Sequence, residues 1–225
     1  MLRHEWNLTP KEAVQLQREL ACRVRPTPLE GPIRTVAGVD CAYVGARGRN
    51  LSAAKEVIAA AVLCDAETME VVEHSCIRRP CTFPYVPGLL SFREAPAAIA
   101  AVKSLHTPPD LLMCDGQGVA HPRGLGLAAH VGLWLDVPTI GVAKSRLCGE
   151  HAEPGLRRGG RKPLELDGRT VGAVLRTRDG VRPLYISVGH RITLDEAVEW
   201  VLRAGRGVRL PQPTRLADRF VSRCR

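Results

Sequence analysis

Four acids, a lysine and a histidine stand where the apolar pattern of this 225-residue chain has little use for them. The run Leu111-Leu112-Met113-Cys114 reads as a buried strand that stops at Asp115, with Gly116 and Gly118 just beyond. A carboxylate at the carboxyl end of a strand lies where open α/β sheets take their ligands, although it also suits the cap of a turn. Asp40 interrupts a second strand-like run, Ile33 to Val44, and a buried acid there needs a cation or donors beside it. Glu94 falls near the first turn of a helix, an ordinary place for an acid facing the helix dipole. Hydrolysis of a phosphodiester needs charge neutralisation and a deprotonated water, which two hard cations about 3.5–4 Å apart can supply. Such cations prefer carboxylate oxygen, so strand Asp40, helix Glu94 and strand-end Asp115 suit the task.

The other three residues are more ambiguous. Asp218 lies in the last helix, Arg215 to Cys224, which Thr214 can cap. It borders the side marked by Leu216, Ala217, Phe220 and Val221, so it either points toward a site at the sheet edge or is a solvated surface acid. Lys144 ends the apolar run Thr139 to Ala143, and a lone strand-end lysine usually snorkels to water. His121 alone reads as a loop histidine. His130, on a helix from Leu125 to Leu135, reads as a packing or substrate-side residue.

The elements that must hold these residues alternate in type. Thr9-Pro10-Lys11-Glu12 opens a helix with a capping box; Ala13, Leu16, Leu20 and Val24 mark one face, and Pro26 and Pro28 end it. After the Asp40 run comes a basic loop (Arg47, Arg49, Lys55), then two strands, Val57 to Cys64 and Glu70 to Ile77, joined by a short link as a hairpin. A helix from Phe92 to Leu105, the Asp115 strand, the Leu125 to Leu135 helix and the Thr139 to Ala143 strand follow. Gly155 to Lys162 reads as a basic, flexible loop before strands Thr170 to Thr177 and Leu184 to Val188, and Thr193 caps a helix that ends near Gly205. An antiparallel meander plus parallel strands implies an α/β mixed central sheet flanked by helices. No composition break divides residues 1–225, so one domain is expected.

Composition bounds the partners. A net charge of +9 favours a polyanion, whether DNA, RNA or an acidic membrane surface. No apolar run reaches the roughly 18–20 residues that cross a bilayer, and Met1 to Trp6 has no signal-peptide core, so a cytoplasmic protein is expected. None of the eight cysteines forms a Cys-x-x-Cys pair; Cys41, Cys64 and Cys114 sit in apolar runs, so most are expected to be reduced core fillers rather than zinc ligands.

Between the halves, Pro84 and Pro87 bracket Tyr85 and stiffen the loop that carries the ring, a form suited to a wedge between stacked bases, or simply to packing on the body. The phrases Gly38-Val39-Asp40, Pro84-Tyr85-Val86-Pro87-Gly88-Leu89-Leu90-Ser91-Phe92-Arg93-Glu94, Asp115-Gly116-Gln117-Gly118-Val119-Ala120-His121-Pro122-Arg123, Gly141-Val142-Ala143-Lys144-Ser145 and Leu210-Pro211-Gln212-Pro213-Thr214-Arg215 resemble the endonuclease V (deoxyinosine 3′ endonuclease) family, from about Val36 to Asp218. The resemblance implies a ribonuclease H-like fold, Mg²⁺ with Mn²⁺ as a substitute, and cleavage of the second phosphodiester bond 3′ to an inosine. It implies Asp40, Glu94 and Asp115 as metal ligands, Asp218 as a further member of the metal site, a catalytic Lys144, and His121 beside the scissile phosphate. A base turned out of the helix would then meet close backbone at Gly88, Leu90, Gly116 and Gly118, where the O6 of hypoxanthine replaces the amine of adenine.

In one respect the chain departs from the family. Where the family commonly follows His-Pro-Arg with a second basic residue, an aromatic and Ala-Ser-His, this chain has Gly124-Leu125-Gly126-Leu127-Ala128-Ala129-His130, a departure that puts one phosphate contact in doubt and leaves the implied metal ligands untouched. The competing readings are an inosine-specific endoribonuclease acting on RNA and a binder without chemistry; three acids aimed at phosphates argue against the binder. The expected partner is single- or double-stranded DNA containing deoxyinosine, bound by a monomer.

Overall fold

A computed structural model describes residues 3–45 and 51–224; Arg47 and Arg49 of the basic loop lie outside the described residues. In chain order the described elements are α1 (Pro10–Ala21), β1 (Thr35–Val44), β2 (Glu56–Asp65), β3 (Val71–Pro80), α2 (Leu90–Lys103), β4 (Leu111–Cys114), α3 (Leu127–Leu135), β5 (Thr139–Ala143), β6 (Arg161–Leu166), β7 (Arg169–Leu175), β8 (Leu184–His190), α4 (Leu194–Arg203) and α5 (Gln212–Arg223). The strands form one sheet in the order β3-β2-β1-β4-β5-β8-β7-β6. The meander β1 to β3 is antiparallel, and β1, β4 and β5 run parallel, which is the mixed sheet expected. A second antiparallel block, β8-β7-β6, extends the other edge.

Alternation through the central strands feeds two cores. Ala37, Val39, Leu112 and Cys114 pack toward α2 and α3, while Val36, Leu111 and Met113 pack into the opposite layer, which includes α4. Continuing that period puts Asp40 and Asp115 on the face opposite α2. On the same face α5 lies close over β1: a Cβ on Gly38 would meet the backbone of Pro213 and Thr214, so only glycine lets the helix seat there. Asp110 ties the strand starts together by accepting from the backbone N–H of Arg34 and Thr35, each at 2.9 Å.

Local signals held at several ends and failed at others. Both threonine capping boxes form, Thr9 with Glu12 and Thr193 with Glu196. The hairpin turn is an Asp65 turn in which the carboxylate accepts from Glu67 and Thr68 N–H. However, α2 starts at Leu90 rather than Phe92, because its N-cap is Leu89 with no capping side chain to mark it. The last helix starts at Gln212 rather than Arg215: Pro213 presets its first turn, and Thr214 is no cap but donates its hydroxyl to Pro211 O. The basic stretch is not wholly a flexible loop. Arg161 and Lys162 open edge strand β6, whose inward face is Leu164 alone, so Pro163 and exposed charges hide its period. Arg158 is held as well, by Asp179 and the carbonyl of Leu202.

The cysteine expectation divides. Cys64 and Cys114 are buried core fillers, whereas Cys76 on β3 and Cys224 after α5 are joined in a disulfide. Cys76, on an outer strand, meets the carboxyl-terminal end of α5, a proximity that 148 residues of separation conceal in the sequence. Among the described residues no helix is long and apolar enough to cross a membrane.

Candidate active site

Three of the predicted acids converge. Asp40 from the middle of β1, Asp115 from the end of β4 and Asp218 from α5 each offer an oxygen within 4.8 Å of the others. The period-2 placement accounts for Asp40 and Asp115, and the seat of α5 on Gly38 brings Asp218 across. Lys144, just past β5, pairs with Asp115 and stands 3.7 Å from Asp218. Arg209 donates to the Lys144 carbonyl at 3.0 Å and so holds the backbone that carries it.

Glu94 approaches from the other layer. It sits on α2, is buried, and accepts a 2.8 Å hydrogen bond from the Tyr43 hydroxyl. It therefore lies outside the tight group of three, although it still feels the charges of Asp40 and Asp115. Burial pushes Glu94 up to about 8, with Asp40 and Asp115 adding to the rise and Tyr43 opposing it. Asp40 is raised to about 7 by burial and by Asp115, against the pull of Lys144. Burial also raises Asp115 despite its bond to Lys144. Burial disfavours the Lys144 ammonium, yet the carboxylates around it outweigh that cost and raise its pKa. A site this short of positive charge is built to receive some.

Beside the acids opens a pocket of about 430 Å³, with Asp115 and Lys144 in its wall. Tyr85, Pro87, Gly88, Leu90 and Gly116 line it as expected, and Tyr85 is 41% exposed and free to meet a ligand. Pro84 does not line it. Gly118 also stays out of the pocket: its N–H bonds Ser187 Oγ at 2.8 Å, and a Cβ there would strike Val188 O, so this glycine serves strand packing. His121 lines the pocket with both ring nitrogens engaged, Nε2 donating to Gly88 O at 3.0 Å and Nδ1 accepting from Arg123 N–H. Burial and Arg123 depress it to about 4, so it is neutral. Buried His130 packs between α2 and the amino-terminal aromatics, away from the acids.

Sequence reading missed the residues that fix the pocket rim. Gly88 O accepts from Gln17, His121 and Arg123, while Gly88 itself has φ +79° and no room for a Cβ beside Arg123. Gln17 is fully buried and also donates to Leu125 O at 2.6 Å. Its signal was available: it occupies a core position of α1, four residues after Ala13 and three before Leu20, where an amide is out of place. Gln117 donates to Ser145 O, and its buried Oε1 has no partner among the described residues. Ser91 completes that wall.

This geometry has close relatives. The Endonuclease V family model matches residues 18–219. The chain belongs to the Endonuclease V family. Endonuclease V of Rhodospirillum centenum is 53% identical over 217 residues, covering 95% of this chain and 88% of the relative. The crystal structure of the Streptomyces avermitilis Endonuclease V superposes with a TM-score of 0.90 at 43% identity, covering 99% of this chain and 96% of that one. At 22% identity, an Endonuclease V of Ciona intestinalis, in complex with a 23mer DNA containing an inosine followed by a ribo-adenosine, shares the fold with a TM-score of 0.79 over 96% of this chain and 98% of that one. The sheet is thus the ribonuclease H-like one, and a member of the Endonuclease V family is a nuclease.

Proposed function

We propose that this protein, acting as a one-domain monomer, recognises deoxyinosine in DNA and hydrolyses the second phosphodiester bond 3′ to it with the help of Mg²⁺, for which Mn²⁺ can substitute. The observation that carries the reading is the convergence of Asp40, Asp115 and Asp218 with Lys144 beside a pocket of about 430 Å³, roomy enough for a displaced base. All reacting groups come from one chain, so no second copy is required.

The donor set fits a hard cation. It is all carboxylate oxygen, with no histidine or cysteine in the group, and burial together with neighbouring carboxylates raises Asp40 and Asp115 despite Lys144, an imbalance that a bound cation would redress. Asp40, Asp115 and Asp218 would hold the metal, with Glu94 contributing from the opposite layer. When bound, the metal neutralises phosphate charge and lowers the pKa of an attacking water. The Lys144 ammonium, now on Asp115, is placed to hold a phosphate oxygen or that water. Gly88, Leu90 and Gly116 present backbone to the displaced base, Tyr85 fills the gap it leaves, and neutral His121 keeps the Gly88 loop in place next to the phosphate.

The deciding experiment is nicking of a deoxyinosine duplex by chelator-treated protein with Mg²⁺, Mn²⁺ or Ca²⁺ added back, with the cut mapped. Cleavage is expected with Mg²⁺ and Mn²⁺; Ca²⁺, whose ligand geometry is looser, supports binding without efficient cutting. Activity that survives chelation, or a cut elsewhere than one nucleotide past the inosine's own 3′ linkage, overturns the reading. The Ciona relative was bound to an inosine followed by a ribonucleotide, which keeps RNA as the second substrate class. Matched deoxyinosine and inosine oligonucleotides separate the two.

A further inference from the structure

The pocket wall carries a chain of hydrogen bonds out to the amino-terminal segment. Ser91, in the first turn of α2, lines the pocket, and its Oγ lies 3.1 Å from His130 Nδ1. His130 Nε2 lies 2.8 Å from His4 Nε2, and His4 Nδ1 lies 2.8 Å from the carbonyl oxygen of Glu5. Aromatic packing holds the segment there: His4 meets Trp134 edge-on at 5.1 Å, and Trp6 lies 5.0 Å from the His130 ring.

One end of the chain sets the direction of the whole. A backbone carbonyl only accepts, so His4 carries its proton on Nδ1. Burial keeps both rings neutral, lowering His4 and pushing His130 down to about 3. A neutral His4 protonated on Nδ1 has a bare Nε2, so His130 donates to it from Nε2. The Nδ1 of His130 is then bare and accepts from the Ser91 hydroxyl. Ser91 directs its only proton away from the pocket, and its oxygen is left as an acceptor.

We infer that Ser91 is a specificity-determining residue, accepting a hydrogen bond from the ring N–H of the bound base, and that His130 and His4 are positioning residues that fix its polarity. The inference rests on the reading of the pocket as a hypoxanthine site. Hypoxanthine joined to its sugar through N9 has a single ring N–H, at N1, whereas adenine presents a bare N1 at that place. An acceptor-only hydroxyl bonds the first and opposes lone pair to lone pair with the second. A freely rotating serine would serve both bases equally. The Oε1 of Gln117, buried and without a hydrogen-bond partner among the described residues, is a competing side-chain acceptor in this wall, so the test must separate the two.

The experiment compares Ser91→Ala with wild-type full-length protein on oligonucleotides carrying hypoxanthine, adenine or 1-deazahypoxanthine, whose C–H replaces N1–H. Ser91→Ala should lower kcat/KM on hypoxanthine roughly threefold to tenfold, the worth of one neutral hydrogen bond, and leave the 1-deaza base within about twofold. His4→Phe keeps the aromatic packing but cuts the chain; it should reduce the preference for hypoxanthine over 1-deazahypoxanthine in the same direction, and Ser91→Ala should then cost less in that background. Nitrogen-15 NMR of the imidazoles should show His130 protonated on Nε2 and His4 on Nδ1. Equal losses on both bases after Ser91→Ala, or His130 protonated on Nδ1, overturn the inference while leaving the hypoxanthine site in place. A wild-type protein that cuts adenine and hypoxanthine strands equally overturns both.

Discussion

Two regions of this molecule bury titratable groups, and they resolve the cost in opposite ways. Around His130, burial meets a chain of neutral hydrogen bonds and a shell of aromatic rings, and no charge is left uncompensated. Around Asp40, Asp115 and Glu94, burial meets more burial and like charge, and one lysine shared between Asp115 and Asp218 does not balance it. Depth below the surface is therefore a poor sign of chemistry; charge left without compensation is the better one.

The strongest way to break that contrast is to remove an acid. Asp40→Ala or Asp115→Ala should lower nicking by at least about 10²–10³-fold, the usual cost of losing a transition-state electrostatic contact, while binding to deoxyinosine DNA largely persists. Near-normal cleavage by either variant in Mg²⁺ would place the chemistry elsewhere. Tyr85→Ala touches recognition instead: binding to the lesion should weaken by about 1–3 kcal/mol, the range for base–aromatic stacking. Titration of unmodified and deoxyinosine DNA against both proteins checks it, and unchanged discrimination would mean that the ring only packs on the body.

The two regions should also respond to pH with opposite signs. His130 has a folded pKa near 3 against an ordinary 6.5, so the unfolded chain binds more protons between those values. Its contribution is present above pH 6.5 and is lost as pH falls toward 3. Asp40 is raised from 3.8 to about 7 and Glu94 from 4.5 to about 8, so stability that both contribute below about pH 4 is lost as pH rises to 7–8. In chelator, Asp40→Asn should gain stability on wild type progressively between pH 4 and 7, read by thermal melts; a gap that does not grow with pH would show Asp40 to be ordinarily solvated. Adding Mg²⁺ at pH 7–8 should raise the wild-type melting temperature more than that of Asp40→Asn, because a ligand that binds only the folded form stabilises it.

A smaller effect sharpens how the site is positioned. Gly38→Ala adds a Cβ against Pro213 and should move α5, and with it Asp218, while leaving the Gly88 rim intact. The expected cost is about 1–3 kcal/mol of stability, typical of overpacking, with reduced nicking and retained lesion binding. Equal loss of binding and cutting would show that α5 supports the pocket as well.

The sequence by itself determined the strand that ends at Asp115, the meander around Asp40, both threonine-capped helices and the placing of Tyr85 on a loop between two prolines. These rest on short-range physics: period-2 apolar runs, capping pairs and prolines act over a few residues and can be read there. Family phrases added the fold and singled out six candidate site residues. Tertiary structure alone decided that Asp218 joins Asp40 and Asp115 while Glu94 stands in the opposite layer, because sheet sidedness and the seat of α5 on Gly38 are set by packing. It likewise decided that Gly118 is spent on strand packing, that Gln17 pins the Gly88 rim from 71 residues away, and that Cys76 meets Cys224. Edge strand β6 escaped notice because a strand with one inward residue carries almost no alternation, and α5 began early because a proline start needs no capping side chain. Contacts between distant segments leave no local periodicity to read; a polar residue on an apolar helix face, as at Gln17, is the nearest trace they leave in the chain.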